Sequence, residues 1–528
     1  MRPRGLENPL SHLLFASAAW VYFGRLPSAR RFGLLCLIGG LAILTRPDNA
    51  VLLAPVVVTA GVQAWRRGCK LTALARAAAL AAIPWFCWEL FSLFYYGLLV
   101  PNTALAKLNT GIPKHELVQQ GFIYLIASLD ADPLTLVIIL AGIAVPIVTR
   151  NRATMPFALG IVLHLIYLLS IGGDFMLGRF LTAPMFMSLI VLSQLRGLGP
   201  ARTAALTVAL AAVGLATSPS TLAVNSATTP DTKSARTTRH ITDERVFFFE
   251  DASLLSARRN RDMPDHKWRW LGERGAREGK RTATAVAMGF RGLAGGPDLH
   301  LIDRAALTEP LLAWLPAQYV PQWMSGHFLR AIPPGYVETL ESGENQLKDR
   351  NLAELYDRVH LVVSGPLWSR ERLAAIWWLN TGGPETLIDE ERYRFQGALQ
   401  LKLTQLSKPL PEGTELKSKK VLKLPAQGAV LRFRERQHPR TVELSLNYED
   451  RFELRFYDRG EEIARVPVPR APKWDLDGLT IRTVELPEDL VARGFTRMRV
   501  LPRTTERTSK PIWALGHLRF DPELDGDG

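Results

Sequence analysis

GIVLHLIYLLSIGGDFMLGRFLTAPMFMSLIVLSQLRGLGPAR, residues Gly160–Arg202, decides how the rest of the chain reads. Two apolar runs flank one short polar turn, Gly172-Gly173-Asp174-Phe175-Met176-Leu177-Gly178-Arg179-Phe180. With their neighbours the runs are long enough for membrane helices, since ~17–25 apolar residues cross a hydrocarbon core. An Asp and an Arg at the mouth of two such helices are costly unless they pair or serve a site.

Working outward, the chain divides by composition. Residues 9–217 are almost continuously apolar with short basic loops, whereas residues 225–528 hold most of the charge. The spans expected from apolar runs are roughly 9–24, 32–45, 50–65, 77–98, 132–149, 156–172, 179–195 and 204–217. The second and third share the break Thr45-Arg46-Pro47-Asp48-Asn49, and residues 99–131 read as a loop. Basic residues set the orientation: Arg25, Arg30, Arg31, Arg66, Arg67, Lys70, Arg76, Arg150, Arg152, Arg196 and Arg202 fall on alternate loops, which are expected to be cytoplasmic. The net charge of +14 partly reflects these loops, and no nucleic-acid-binding motif accompanies it. Eight spans place both termini and the large polar part outside the plasma membrane of a bacterial cell, in the periplasm or exterior.

Residues 218–240 are small and polar and read as a linker. Residues 241–400 mix expected strands (ATAVAMGF, LHLID) with expected helices (LAELYDRV, RERLAAIWWLN), an α/β or α+β domain. From 401 to 521 short alternating segments such as TVELSLN and FELRFYD predict a β-sandwich, which would be carbohydrate-binding-like only on the resemblance given below, followed by an acidic tail at 522–528. The cysteines are Cys36, Cys69 and Cys87, all in or beside apolar runs, so the polar part has neither a disulfide framework nor a cysteine zinc cluster. Gly289, Gly292, Gly295 and Gly296 miss the dinucleotide register and read as a turn between strands.

The polar residues in the apolar half are the candidate site. Arg179 suits a phosphate because its planar fork grips two oxygens, and Asp174 in the same turn orients it or a ligand hydroxyl. Asn102 and Lys107 follow Pro101, which stops the preceding helix, so they sit at a mouth where Lys neutralises phosphate and Asn meets hydroxyls. Tyr96, beside Tyr95, suits sugar stacking or an interfacial belt. Arg46 and Asp48 flank Pro47 in a break that either lines a cavity or closes a hairpin as a structural pair. Glu89 inside the fourth span and Glu7 before the first are carboxylates near lipid, and His164 reads as a packing histidine. Trp323, His327, Arg330, Tyr336, Trp368, Trp377 and Trp378 read mostly as core.

TRPDN at 45–49, YYGLLVPNTALAK at 95–107 and GGDFMLGRF at 172–180 resemble membrane glycosyltransferases of the GT-C superfamily. Within it they are similar to the terminal arabinofuranosyltransferases of the actinobacterial cell wall, some of which carry the label of flagellar motor control proteins. GHFLRAIPPGYVETLESGENQLKD (326–349) and GPLWSRERLAAIWWLN (365–380) look similar to the same group. The resemblance implies a multi-span α-helical membrane domain with a polyprenyl-phosphate sugar as donor, membrane lipid around it and a cell-envelope glycan as acceptor. It implies donor-phosphate contacts from Arg179, Lys107 and Arg46, and substrate contacts from Asn102, Tyr96, Glu89 and Glu7. A divalent metal is compatible with this chemistry, and no ligand cluster requires one. Such enzymes usually begin with further spans around an acidic loop thought to supply the catalytic base. Gly5-Leu6-Glu7-Asn8 resembles the segment after that loop, so the reading expects an N-terminally truncated member in which Asp174 or Asp48 would act as base. The alternative is a catalytically incomplete, membrane-anchored protein that binds glycan or a partner.

Overall fold

The computed structural model describes residues 7–195, 199–217, 241–244, 264–448, 450–469, 478–504 and 513–522. The expected linker at 218–240 and nearly all of the tail lie outside the described residues. Chain contacts divide the molecule into two compact units. One holds residues 1–314, 324–327 and 334–388, and the other holds 315–323, 328–333 and 389–528.

The first unit is helical. Its helices are α1 (Asn8–Gly24), α2 (Ala29–Thr45), α3 (Asn49–Arg66), α4 (Leu71–Tyr95), α5 (Asn102–Leu108), α6 (Lys114–Ala131), α7 (Pro133–Val148), α8 (Met155–Ser170), α9 (Thr182–Ser193) and α10 (Pro200–Thr217). Each coincides with an expected apolar run except α5 and α6, which occupy the stretch read as a loop. The α6 sequence KHELVQQGFIYLIASLDA mixes charge with apolar residues, so it lacks the signature of a span. It meets α7 at a bend of 114°, where Asp132 caps α7 through Thr135 N at 3.3 Å and Oγ1 at 2.8 Å.

The expectation of eight full spans is not met in length. Among the described residues α4 alone is long and apolar enough to cross a membrane, and the bent α6–α7 pair passes together. At 16 and 17 residues, α8 and α1 are about 25 Å long, below the ~30 Å of a hydrocarbon core. The bundle packs α2 on α1, α3 and α4, and α8 on α3, α6, α7 and α9. Close crossing depends on Gly160, where a Cβ would lie 2.2 Å from the Leu52 carbonyl oxygen. Phe15, Leu35, Leu52, Tyr124, Phe157 and Ile161 form the centre of the core.

Residues 264–314, 324–327 and 334–388 belong to the same unit. Thr282–Ala285 (β1) pairs in parallel with His300–Asp303 (β2), and the glycine cluster between them is a short helix, Gly289–Gly295, rather than the expected turn. Glycine serves packing here: a Cβ on Gly272 would lie 2.3 Å from the Arg291 carbonyl oxygen. The expected helices extend over Arg350–Ser364 and Arg370–Asn380.

The second unit contains two sheets. The strands are β3 (Leu399–Leu401), β4 (Leu422–Leu424), β5 (Ala429–Gln437), β6 (Thr441–Asn447), β7 (Arg451–Asp458), β8 (Glu461–Pro467), β9 (Leu479–Glu485), β10 (Phe495–Thr504) and β11 (Trp513–Phe520). Their order is β3-β5-β10-β7-β8 in one sheet and β4-β11-β6-β9 in the other. Leu431, Phe456 and Met498 of the first join Leu444, Val484 and Leu518 of the second in one apolar cluster. The segments 315–323 and 328–333 are tied in by polar bonds: the Tyr319 hydroxyl donates to Pro502 O at 2.7 Å, and Gln427 donates to Tyr319 O at 2.7 Å.

Candidate active site

The site forms where helix ends of the first unit meet. Pro47 cannot donate a backbone hydrogen bond and disfavours helix at the residue before it, so α2 stops and Arg46 is extended at φ −155°. Asn49 anchors this break, donating to Ser11 Oγ at 3.1 Å and to Ala42 O at 3.0 Å. Arg46 is thereby aimed at two carboxylates. Its Nε and one terminal nitrogen donate to Asp48 Oδ1 and Oδ2 at 2.8 and 2.6 Å, and the other donates to Glu7 Oε1 at 2.8 Å. The guanidinium also lies 4.7 Å from the centre of the Phe180 ring.

The α8–α9 turn supplies the second half. Gly173 has φ +66°, and a Cβ there would lie 2.6 Å from the Tyr124 ring. Only glycine meets both demands without strain. The Tyr124 hydroxyl clamps the turn, accepting from Phe180 N at 3.2 Å and donating to Met176 O at 3.3 Å. Thr242 exchanges backbone bonds with Phe175 and Leu177 on the other side. Asp174, 5% exposed, accepts from Phe175 N through Oδ1 at 2.9 Å. Its Oδ2 lies 3.7 Å from Arg179 Nη1, too far for a hydrogen bond. Arg179 reaches Glu7 Oε1 at 3.3 Å.

Lys107 on α5 completes the group. Asn102 fixes that helix by donating to the carbonyls of Ala306 and Leu307 at 2.9 and 3.1 Å. A Cβ on Gly326 would stand 3.9 Å from both Lys107 Nζ and Asp174 Oδ1, so the two side chains flank this glycine. Ser325 holds the segment by donating to Gly172 O at 2.8 Å. Next to it His327 meets the Phe175 ring edge-on at 4.3 Å.

Three cations and three carboxylates therefore converge from stretches far apart in sequence: Arg46, Lys107 and Arg179 with Glu7, Asp48 and Asp174. Electrostatics separates their roles. Burial raises the Asp174 pKa against the pull of Arg179 and Lys107. Loss of water around the ammonium lowers that of Lys107, opposed by Asp174 and aided by Arg179 and Arg46; its side chain remains solvent-accessible, so water screens part of the effect. For Glu7, burial is outweighed by its own backbone N–H, Arg46 and Arg179, and the pKa falls. His327 is held neutral, its pKa pushed down to about 4 by burial and by Lys107. Three buried polar atoms here have no hydrogen-bond partner: Asp174 Oδ2, Arg179 Nε and His327 Nδ1. Buried polar atoms are normally paired, and unpaired ones gathered at a cluster of charges mark where a polar ligand fits.

Of the residues singled out in sequence, the structure gathers Asp174, Asp48, Arg179, Lys107, Arg46 and Glu7. It does not gather the others. Asn102 is committed to the carbonyls that fix α5. Tyr96 packs at the end of α4 against Tyr95 and Phe91. Glu89 lies along α4 and makes no ion pair with the six. His164 packs under the turn, its Nε2 3.2 Å from Phe180 O. His327 belongs to a group whose sequence suggests mostly core; its place beside Lys107 arises from the tight turn at Met324–His327, which leaves no signal of its partner. Among the described residues no group of three or more His, Cys, Asp or Glu is placed to hold a metal ion.

Two curated proteins are similar to part of this chain. A terminal β-(1→2)-arabinofuranosyltransferase of Mycobacterium tuberculosis is 30% identical over 189 residues, covering 30% of this chain and 28% of its own. The protein of the same name from Corynebacterium glutamicum is 30% identical over 177 residues, covering 30% of this chain and 25% of its own. The matched part thus spans about a quarter of each relative's length. No family model matches the chain, and no solved structure matches it. The comparisons support a distant relationship to these arabinofuranosyltransferases.

Proposed function

We propose that this chain is a membrane glycosyltransferase that moves a sugar, arabinofuranose by analogy with its relatives' names, from a polyprenyl-phosphate donor to an envelope glycan. The observation that carries the proposal is the convergence of three cations and three unpartnered buried polar atoms at the ends of apolar helices. The opposite helix ends carry Arg25, Arg66, Arg67, Lys70, Arg150 and Arg152, and the positive-inside preference supports an exoplasmic site. The protein then resides in the bacterial plasma membrane, with the two-sheet unit exported as a sandwich that holds acceptor glycan.

The chemistry follows from the geometry. The donor phosphate meets Arg179 and Lys107, which are less committed than Arg46, whose donors already reach Asp48 and Glu7. Asp174 has a free oxygen and heightened basicity from burial, so it receives the proton of the acceptor hydroxyl. That oxygen attacks the anomeric carbon, the bond from carbon to phosphate oxygen breaks, and polyprenyl phosphate leaves with the electron pair. Arg179 and Lys107 neutralise the charge that develops on it. Asp48, with both oxygens on Arg46, orients that cation. Incoming phosphate competes with Glu7 for Arg179.

The closed Arg46–Asp48–Glu7 pairing also suits a second reading, a structural ion network in a non-enzymatic glycan-binding envelope protein. Sugar transfer from a lipid-linked donor to an oligosaccharide separates the two. The enzyme reading expects transfer in the wild type and a loss of about 10²–10³-fold in Arg179→Ala. Absence of transfer with a folded wild type, or unchanged transfer in Arg179→Ala, supports the second.

A further inference from the structure

The helix Arg370–Asn380 is apolar on two faces. Arg372, Ala375, Ile376 and Leu379 are buried, while Leu373, Ala374 and Trp377 form an exposed stripe at helical spacing. Trp377 is 73% exposed, and Trp368 just ahead of the helix is 81% exposed. A tryptophan pair this bare is unusual, since the residue buries a large apolar area wherever it can. Val363 and Leu367 widen the patch.

The position of this helix indicates what covers it. Arg372, fully buried, donates to the carbonyls of Phe94 and Tyr95 at 2.8 and 2.9 Å, closing the C-terminal end of α4. Asn380 donates to Gly97 O at 2.8 Å, and the Trp368 ring lies 4.6 Å from Phe94. The helix is thus locked to the end of the one described helix long and apolar enough to span a membrane. That helix is itself bare, with 11% of its most apolar stretch buried. Phe91, Tyr95, Tyr96, Leu99 and Val100 are exposed beside the junction, so the apolar surface of α4 runs on into the tryptophan stripe.

We propose that Trp368 and the Leu373–Trp377 face of this helix lie in the outer-leaflet interface of the bilayer, as a monotopic anchor beside α4. An interfacial helix has an apolar face with aromatic residues at headgroup level and charged groups at its margin. Arg370 and Glu371 supply such a margin here. The anchor sets the height of the segment 336–388 over the membrane. Through the α4–α5 connection it also sets the depth of Lys107, where a donor phosphate at headgroup level would meet it. This inference rests on the membrane reading above.

Spin-label accessibility on the full chain in lipid nanodiscs tests both separately. Cys36→Ser/Cys69→Ala leaves Cys87 as a reporter within α4. Adding Cys87→Ala permits Trp377→Cys, Leu373→Cys or, as an aqueous reference, Glu354→Cys. The expected result is that labels at 373 and 377 collide preferentially with oxygen over a polar nickel chelate, at a depth between the Cys87 and Glu354 labels. Chelate access at 373 and 377 equal to that at 354, with Cys87 still lipid-facing, overturns the anchor and leaves the membrane reading intact. Chelate access at Cys87 overturns both. Labels shielded from both reagents overturn the anchor in favour of a covering protein surface, such as a second copy of this chain.

Discussion

Asp174→Asn separates stability from catalysis within the proposed site. The asparagine keeps the shape and the acceptor for Phe175 N, so the turn should persist. What is removed is a buried negative charge 3.7 Å from Arg179. At an effective dielectric of ~20 that attraction is about 4 kcal/mol. Burying the carboxylate costs several kcal/mol in return, and the raised pKa shows that burial prevails. The two effects leave a change in stability within about 1 kcal/mol, of either sign. Sugar transfer should instead fall by about 10²–10⁴-fold, the usual loss when a general base is removed. Donor KM should move little, because the phosphate-binding cations stay in place. The assay is transfer from a polyprenyl-phosphate sugar to an oligosaccharide in nanodiscs, paired with equilibrium unfolding. Asp174→Asn transferring at the wild-type rate would refute the base assignment. Loss of more than about 3 kcal/mol of stability would refute the energetic argument, because it would mean the ion pair outweighs burial.

Arg46→Ala strands the buried Asp48 carboxylate and should cost about 3–5 kcal/mol. Adding Asp48→Asn should recover part of that loss, and strict additivity in the unfolding cycle would count against coupling. Gly173→Ala forces a side chain into a left-handed turn and against Tyr124, so a loss of at least about 1–3 kcal/mol is expected in the same measurement. The His327 pKa is about 4 in the fold against 6.5 unfolded. As pH falls from 6.5 toward about 4 the unfolded chain takes up the proton first, so stability should decline across that window. The slope of stability against pH should flatten in His327→Asn.

Much of the architecture was legible because apolar periodicity and turn residues report local structure directly. The ends of α1, α2, α3 and α8 follow Pro, Gly and charge at their breaks. The strands from 429 to 520 follow alternation. The charged residues of the site were legible for a different reason: Glu7, Arg46, Asp48, Asp174 and Arg179 stand at helix ends in an otherwise apolar stretch, where an unpaired charge is expensive. Their mutual pairing was not legible, since it depends on helices 39 and 172 positions apart in sequence meeting at one end. Nor was the helical state of α6, which buries Leu117, Gly121, Tyr124 and Ala127 while Lys114, His115 and Asp130 stay exposed. Asn102 misled because an amide that could meet a sugar hydroxyl is spent on the Ala306 and Leu307 carbonyls. Trp368 and Trp377 looked like core because aromatic residues usually are; only their exposure beside α4 distinguishes them.

Equilibrium binding of polyprenyl phosphate to the purified chain in nanodiscs tests the central claim most directly, because it asks for the anion site without requiring turnover. The account expects saturable binding that weakens by about 10–100-fold in Arg179→Ala and in Lys107→Ala, on the scale of one lost charge-assisted contact each. It expects no change in Arg152→Ala, at the opposite helix ends. Equal affinity in all of these proteins would contradict it.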